Sequence, residues 1–168
     1  MVDIDGVISL FGAAGALSGQ NPAADGCLHS IEGIPHFLSA TAAAHLLALS
    51  ELFDLVWASG WEEKANEHLP HLLGLPSLPF LSFPEGVRGT RTTIGHWKLE
   101  AIDTYAAGRP LAWVDDALSP ACEQWAQARD APTLLVQTVP EQGLTSREAR
   151  LLADWAGSLA QSPAPRGA

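Results

Sequence analysis

Basic side chains are scarce in this sequence. Nine Lys and Arg stand against nineteen Asp and Glu among 168 residues, a formal charge of −10. A surface that grips nucleic acid through many phosphate contacts is therefore not the default expectation. Aromatic residues make up 7% and charged residues 17%, while 47% are hydrophobic and the mean hydropathy is +0.10. That balance excludes a chain too polar to collapse. No apolar run reaches the ~18 residues that a membrane-spanning helix needs, so no membrane partner is expected. The N-terminus has no basic stretch leading into an apolar run, so a secretory signal is not expected either. Cys27 and Cys122 are too few for a disulfide framework or a zinc site. They read as reduced packing thiols of a cytoplasmic protein.

What remains fits one compact domain. Its expected extent is 1–160, with residues 6–40 as a flap or loop insertion and 161–168 (QSPAPRGA) as a disordered tail. Short β-type runs alternate with helical ones, the pattern of an α/β protein. Strands are expected at Met1–Asp5, Asp54–Ala58, Pro79–Phe83, Leu111–Val114 and Thr133–Val139. Residues 27–38 suit a short hairpin turning at Glu32-Gly33. The spacing of Ala42, Leu46, Leu49 and Phe53 gives one helical face. Further helices are expected from Trp61 to Pro70, from about Gly95 to Ala107, and from Ser119-Pro120, a hydroxyl cap followed by proline. The last helix opens on a Thr145–Glu148 capping box and buries Leu151, Leu152, Trp155 and Leu159. The expected fold is a Rossmann-like three-layer α/β/α sandwich around a mainly parallel five-stranded sheet, with no large cap domain.

Polar residues gather at the expected strand ends. Asp3 and Asp5 are two apart, so in an extended chain their carboxylates share a side. Ser59 ends the second strand and Asp115-Asp116 the fourth. Like charges 4 Å apart cost ~4 kcal/mol at an effective dielectric of about 20. Such a cluster calls for a divalent cation, and oxygen ligands favour Mg²⁺. The plain alternative is that Asp5-Gly6 is only a turn and Asp115-Asp116 only a helix cap. With a cation in place, the acids suit phosphoryl transfer: one aspartate as nucleophile, a second as acid and then base. Ser59 and Lys98 could contact the phosphoryl oxygens, although a turn serine and a solvated lysine are the ordinary readings of each alone. The six histidines show no metal-ligand spacing. Trp57, Trp113, Trp125 and Trp155 fall on core faces, and Trp61 and Trp97 lie beside the proposed phosphate contacts.

Together these residues resemble the haloacid dehalogenase-like (HAD) superfamily. Its Asp-x-Asp-Gly-Val strand end is matched by Asp3–Val7, and its hydrophobic strand ending in Ser or Thr by Leu55–Ser59. Its lysine at a helix start is matched by Lys98, and its strand with paired acids by Leu111–Asp116. The resemblance implies an aspartyl-phosphate phosphatase with Asp3 as nucleophile and Mg²⁺ ligand. Asp5 would be general acid/base and lend its backbone carbonyl to the metal. Ser59, Gly60 and Lys98 would bind the phosphoryl group, and Asp115 and Asp116 would complete the metal site. The second aspartate separates phosphatases of that superfamily from its dehalogenases.

Two features depart from the family pattern. Only Met1 and Val2 precede Asp3, and there is no room for a large cap. Capless members act on exposed or macromolecular phosphates, or borrow a lid from a protein partner. The run Trp57–Asn66 with Leu73–Pro76 is similar to small bacterial HAD domains associated with RNA repair, which implies a nucleic-acid end as substrate. Arg88, Arg91 and His96 are the candidates for a local basic patch. Alternatives are a small-metabolite phosphatase, a catalytically idle interaction domain, and a receiver domain; the last puts its lysine after all its acids, unlike Lys98.

Overall fold

Helices and extended segments alternate in the computed structural model, which describes residues 1–12, 25–86 and 96–161. In order these are β1 (Ser9–Leu10), β2 (Gly26–Ile31), β3 (Ile34–Ser39), α1 (Ala40–Leu49), α2 (Lys64–Leu73), α3 (Leu99–Ala106), β4 (Leu111–Asp115), α4 (Pro120–Ala128), β5 (Thr133–Gln137) and α5 (Ser146–Gln161). The fold is α/β, but the expected five-stranded parallel sheet is not what forms. One sheet is antiparallel and three-stranded in the order β1-β3-β2, and the other is the parallel pair β4-β5. The segments expected as first, second and third strands pair only through isolated parallel bridges, Val2 with Trp57 and Val114, and Trp57 with Phe80.

The reason is local. After Val2, the Ile4 amide turns to the Asp3 carboxylate (2.8 Å) instead of extending a ladder. The Gly6, Ile8 and Ser9 amides then close a tight turn onto Ser9 and Ile4 carbonyls. Pro79 and Pro84 bracket the third segment and donate nothing to a neighbour. Its backbone pairing with a neighbouring segment is one pair of bonds, the Trp57 amide to the Pro79 carbonyl and the Leu81 amide to the Trp57 carbonyl, and the Phe83 amide turns instead to the Glu62 carboxylate.

Alternation along these extended segments still sorts the core into two clusters. Val2, Trp57, Val114 and Val136 pack with Leu46 and Leu49 of α1, Leu69 of α2 and Leu152 of α5. Met1, Val56, Ala58, Leu81 and Trp113 pack with Ile102 of α3 and Cys122 of α4. Burying one such large apolar side chain contributes about 1.5–3 kcal/mol. Trp57 and Trp113 are buried as expected, whereas Trp125 and Trp155 are half-buried, the latter stacked on Phe53.

Of the expected 6–40 flap, residues 13–24 lie outside the described residues, and the rest contains the three strands of the antiparallel sheet. Glu32 and Gly33 form its two-residue turn, both at positive φ (51° and 81°), as a type I′ hairpin requires. β1 joins by pairing Ser9 with Leu38 and Leu10 with Phe37.

Helix boundaries needed other corrections. α2 starts at Lys64, not Trp61, and runs through Pro70 to Leu73 before Gly74 ends it in the left-handed region. Leu69, fully buried beside the proline, anchors that turn. On α5, Leu152 is buried, Trp155 and Leu159 are half-buried, and Leu151 is exposed. The Thr145 capping box is present, its amide 3.1 Å from Glu148 Oε2. Ser119-Pro120 does open α4. Cys27 is exposed rather than packed, and Cys122 is buried; both are free thiols. Of the expected tail, Gln161 closes α5 and the rest lies outside the described residues. Among the described residues no helix is long and apolar enough to cross a membrane.

Candidate active site

The bridge at Val2 decides where the acids meet. Asp3 donates its amide to Val114 (3.0 Å) and Val114 donates to Met1 (2.9 Å), which sets Asp3 beside the end of β4. There Asp115 is the last strand residue and is fully buried. The Lys98 ammonium lies between the two, 2.7 Å from Asp3 Oδ2 and 2.7 Å from Asp115 Oδ2. Asp115 also accepts the Trp113 indole N–H on Oδ2 (3.1 Å) and the Ala117 amide on Oδ1 (2.9 Å), which leaves Oδ1 room for one more contact. Oxygens of Asp3, Asp115 and Asp116 all lie within 4.8 Å of one another. Three carboxylates in so small a space fit a hard cation with oxygen ligands.

The acidic segments also interlock sterically. Gly6 has φ +70°, and a Cβ there would sit 2.4 Å from Asp116 Cγ. Only glycine suits both the turn and that contact. Thr138, just past β5, ties the pieces together. Its hydroxyl donates to the Gly6 carbonyl (2.8 Å) and its amide to the Asp115 carbonyl (3.1 Å).

Ser59 arrives from the neighbouring segment, where the Ala58 amide bonds the Val2 carbonyl (2.8 Å). It is 1% exposed, and its Oγ has no hydrogen-bond partner among the described residues. Buried hydroxyls are seldom left so, because the lost hydration costs about 1–3 kcal/mol. The next residue, Gly60, lies against the Trp97 ring, with 3.8 Å from a would-be Cβ to Cη2. The Lys98 ammonium is 5.2 Å from the centre of that same ring.

Asp5 is placed differently from Asp3. Its side chain is 39% exposed and stands outside the three-carboxylate group. Its Oδ2 accepts the Trp61 indole N–H (3.0 Å), and its Oδ1 is 4.0 Å from His36 Nδ1. The sequence-expected set is thus divided. Asp3, Asp115, Asp116 and Lys98 share one cluster, Ser59 and Gly60 flank it, and the Asp5 carboxylate is held aside from the metal-type group. His96 is adjacent, its Nδ1 accepting the Lys98 amide (3.3 Å), whereas Arg88 and Arg91 lie outside the described residues. Sequence reasoning missed His36, Thr138 and the role of Trp113. Trp113 had a signal, standing two residues before Asp115 on the same strand face. His36 and Thr138 had none, being brought in by distant pairing.

Burial dominates the ionisation of the cluster. It pushes the Asp3 carboxyl up to about 7, with Lys98 pulling down and Asp115 pushing further up. Lys98 is drawn down by burial, but Asp3 and Asp115 outweigh that and raise it overall. Burial and then Asp115 raise Asp116. Burial lowers His96.

A pH dependence follows from Asp3. Its folded form holds a proton more tightly than the unfolded chain, so its contribution to stability is full below about 4 and is lost as pH rises through about 7. In metal-free buffer, the melting temperature of wild type should therefore fall more between pH 4 and 7 than that of Asp3→Asn. Thermal melts across that range check this, and parallel curves would refute it.

No family model matches the chain, and no match was found among curated proteins or solved structures.

Proposed function

We propose that this protein is a Mg²⁺-dependent phosphohydrolase that works through an aspartyl-phosphate on Asp3. One observation carries the reading: the buried Ser59 hydroxyl has no partner among the described residues, and its neighbour Gly60 meets the same Trp97 ring that faces an ammonium clamped between two carboxylates. A site that keeps a buried donor free is prepared for an acceptor that comes and goes, and a phosphoryl oxygen is such an acceptor. The order of the matching segments, similar to that of the HAD superfamily, supports the same reading.

Asp3, Asp115 and Asp116 would hold the cation, with the Asp5 backbone carbonyl as the further ligand that the resemblance implies. When bound, the cation offsets the negative charge of the phosphate so that it can approach the carboxylates. The remaining work belongs to the chain. An Asp3 carboxylate oxygen attacks phosphorus as the bond to the ester oxygen breaks, and Asp5 gives its proton to that leaving oxygen. Asp5, now a carboxylate, takes a proton from water. The water oxygen attacks phosphorus, the bond to Asp3 breaks, and inorganic phosphate departs. Ser59 Oγ–H and the Gly60 amide would donate to the phosphoryl oxygens, and Lys98 would balance their charge.

Asp5 is open to solvent, so the leaving group is on the exposed side. That suits an accessible phosphate ester, with a phosphorylated nucleic-acid end among the candidates and a lid from a protein partner as one route to selectivity. The test is phosphate release from p-nitrophenyl phosphate, sugar and nucleoside phosphates, and 3′- or 5′-phosphorylated oligonucleotides. Turnover should need Mg²⁺, fall at least about 100-fold in EDTA and return when Mg²⁺ is restored. No release on any substrate, together with no Mg²⁺-dependent rise in melting temperature, would instead favour an idle interaction domain.

A further inference from the structure

The Asp5 side chain is 39% exposed, unlike the buried Asp3 and Asp115. A free aspartate there would rotate among its staggered wells. Two aromatic rings, of Trp61 and His36, limit it. Trp61 donates its indole N–H to Oδ2 at 3.0 Å. His36, on the flap strand β3, places Nδ1 4.0 Å from Oδ1. The two rings also touch edge to face, with centroids 4.8 Å apart and planes at 70°. His36 is itself fixed by Ser9 of β1, whose Oγ is 2.9 Å from Nδ1, and Ser9 is buried. The flap thus braces a ring that holds the carboxylate.

We infer that Trp61 is the positioning residue of Asp5, with His36 and the flap sheet bracing its indole. The inference rests on the hydrolase reading given above. Trp61 leaves Oδ1 as the free oxygen, the one able to carry the proton to a leaving group. It bonds no reacting atom itself, so its effect must pass through Asp5.

That gives a readout which a merely structural role would not move. Proton donation matters for an alkyl phosphate, whose alkoxide is a poor leaving group, and little for p-nitrophenyl phosphate, whose phenolate leaves unaided. General acid catalysis contributes about 10²–10⁴-fold. Trp61→Phe keeps the ring and its contact with His36 but removes the N–H. The expected result with Mg²⁺-loaded protein is a kcat on glycerol phosphate lowered about 10-fold or more, at nearly constant KM. The aryl-to-alkyl ratio of kcat/KM, which reports the steps up to departure of the leaving group, should rise by a similar factor. Turnover of the aryl substrate by the same variant reports that it is folded. Equal losses of kcat/KM on both substrates, or no loss on either, would overturn the assignment while leaving the hydrolase reading intact. If wild type releases phosphate from no substrate of the wider panel, the hydrolase reading itself fails, and this inference with it.

Discussion

Asp3→Asn should abolish phosphate release while the protein stays folded. The amide oxygen that replaces the nucleophile carries no charge and attacks phosphorus poorly, so a kcat loss of about 10⁴-fold or more is expected. The fold should tolerate the change. Asparagine's one carbonyl oxygen can still accept the Ile4 amide now on Oδ1, while an NH2 takes the place of the Oδ2 that faces Lys98. Lys98 keeps Asp115 as its counter-charge. Because burial already disfavours ionised Asp3, the change in unfolding free energy should come mainly from that one lost acceptor, about 1–3 kcal/mol. Phosphate release and a urea titration on the same preparation separate the two effects. Activity that survives the substitution would exclude Asp3 as nucleophile.

Lys98→Met should do the opposite and cost stability first. The ammonium is 2% exposed and is the shared partner of two buried carboxylates. Methionine fills similar volume but leaves both acids facing each other in a poorly hydrated site. Removing one partner from a buried ion group costs about 3–5 kcal/mol. Urea unfolding in EDTA should show that loss. The double variant Lys98→Met with Asp3→Asn should recover part of it, since one stranded charge goes too. Strict additivity of the two changes would mean that the ammonium and the Asp3 carboxylate do not interact energetically.

Features set by neighbours in sequence were legible before any coordinates. The Glu32-Gly33 turn, the apolar face of α1, the Ser119-Pro120 start and the capping box at Thr145 all follow from a few adjacent residues. So does the placing of Asp115 at the end of β4. The sheet was misread because strand-like composition cannot reveal how many amides find ladder partners. Val2, Trp57 and Phe80 each lie in a run that looks like a strand, yet bond through single bridges. Pro70 was over-read as a terminator, because the packing of Leu69 outweighs one missing donor. At the site, residue types and order were legible, but the direction of the Asp5 carboxylate was not. That direction depends on Trp61 and His36, and His36 comes from a flap strand whose register only the folded chain fixes.

The clustering of Asp3 with Asp115 has a consequence for how the molecule is made. The Met1 amino group bonds Ala112 across a separation of 111 residues, and Thr138 reaches Gly6 across 132. Contacts that distant close late, after nearer ones have shortened the loop between them. During synthesis, the first segment emerges with Trp57 as its early partner, and Asp3 meets Asp115 only after β4 has followed. A chain that stops short of β5 would carry every acid of the site but lack Thr138, the residue that ties Gly6 to Asp115.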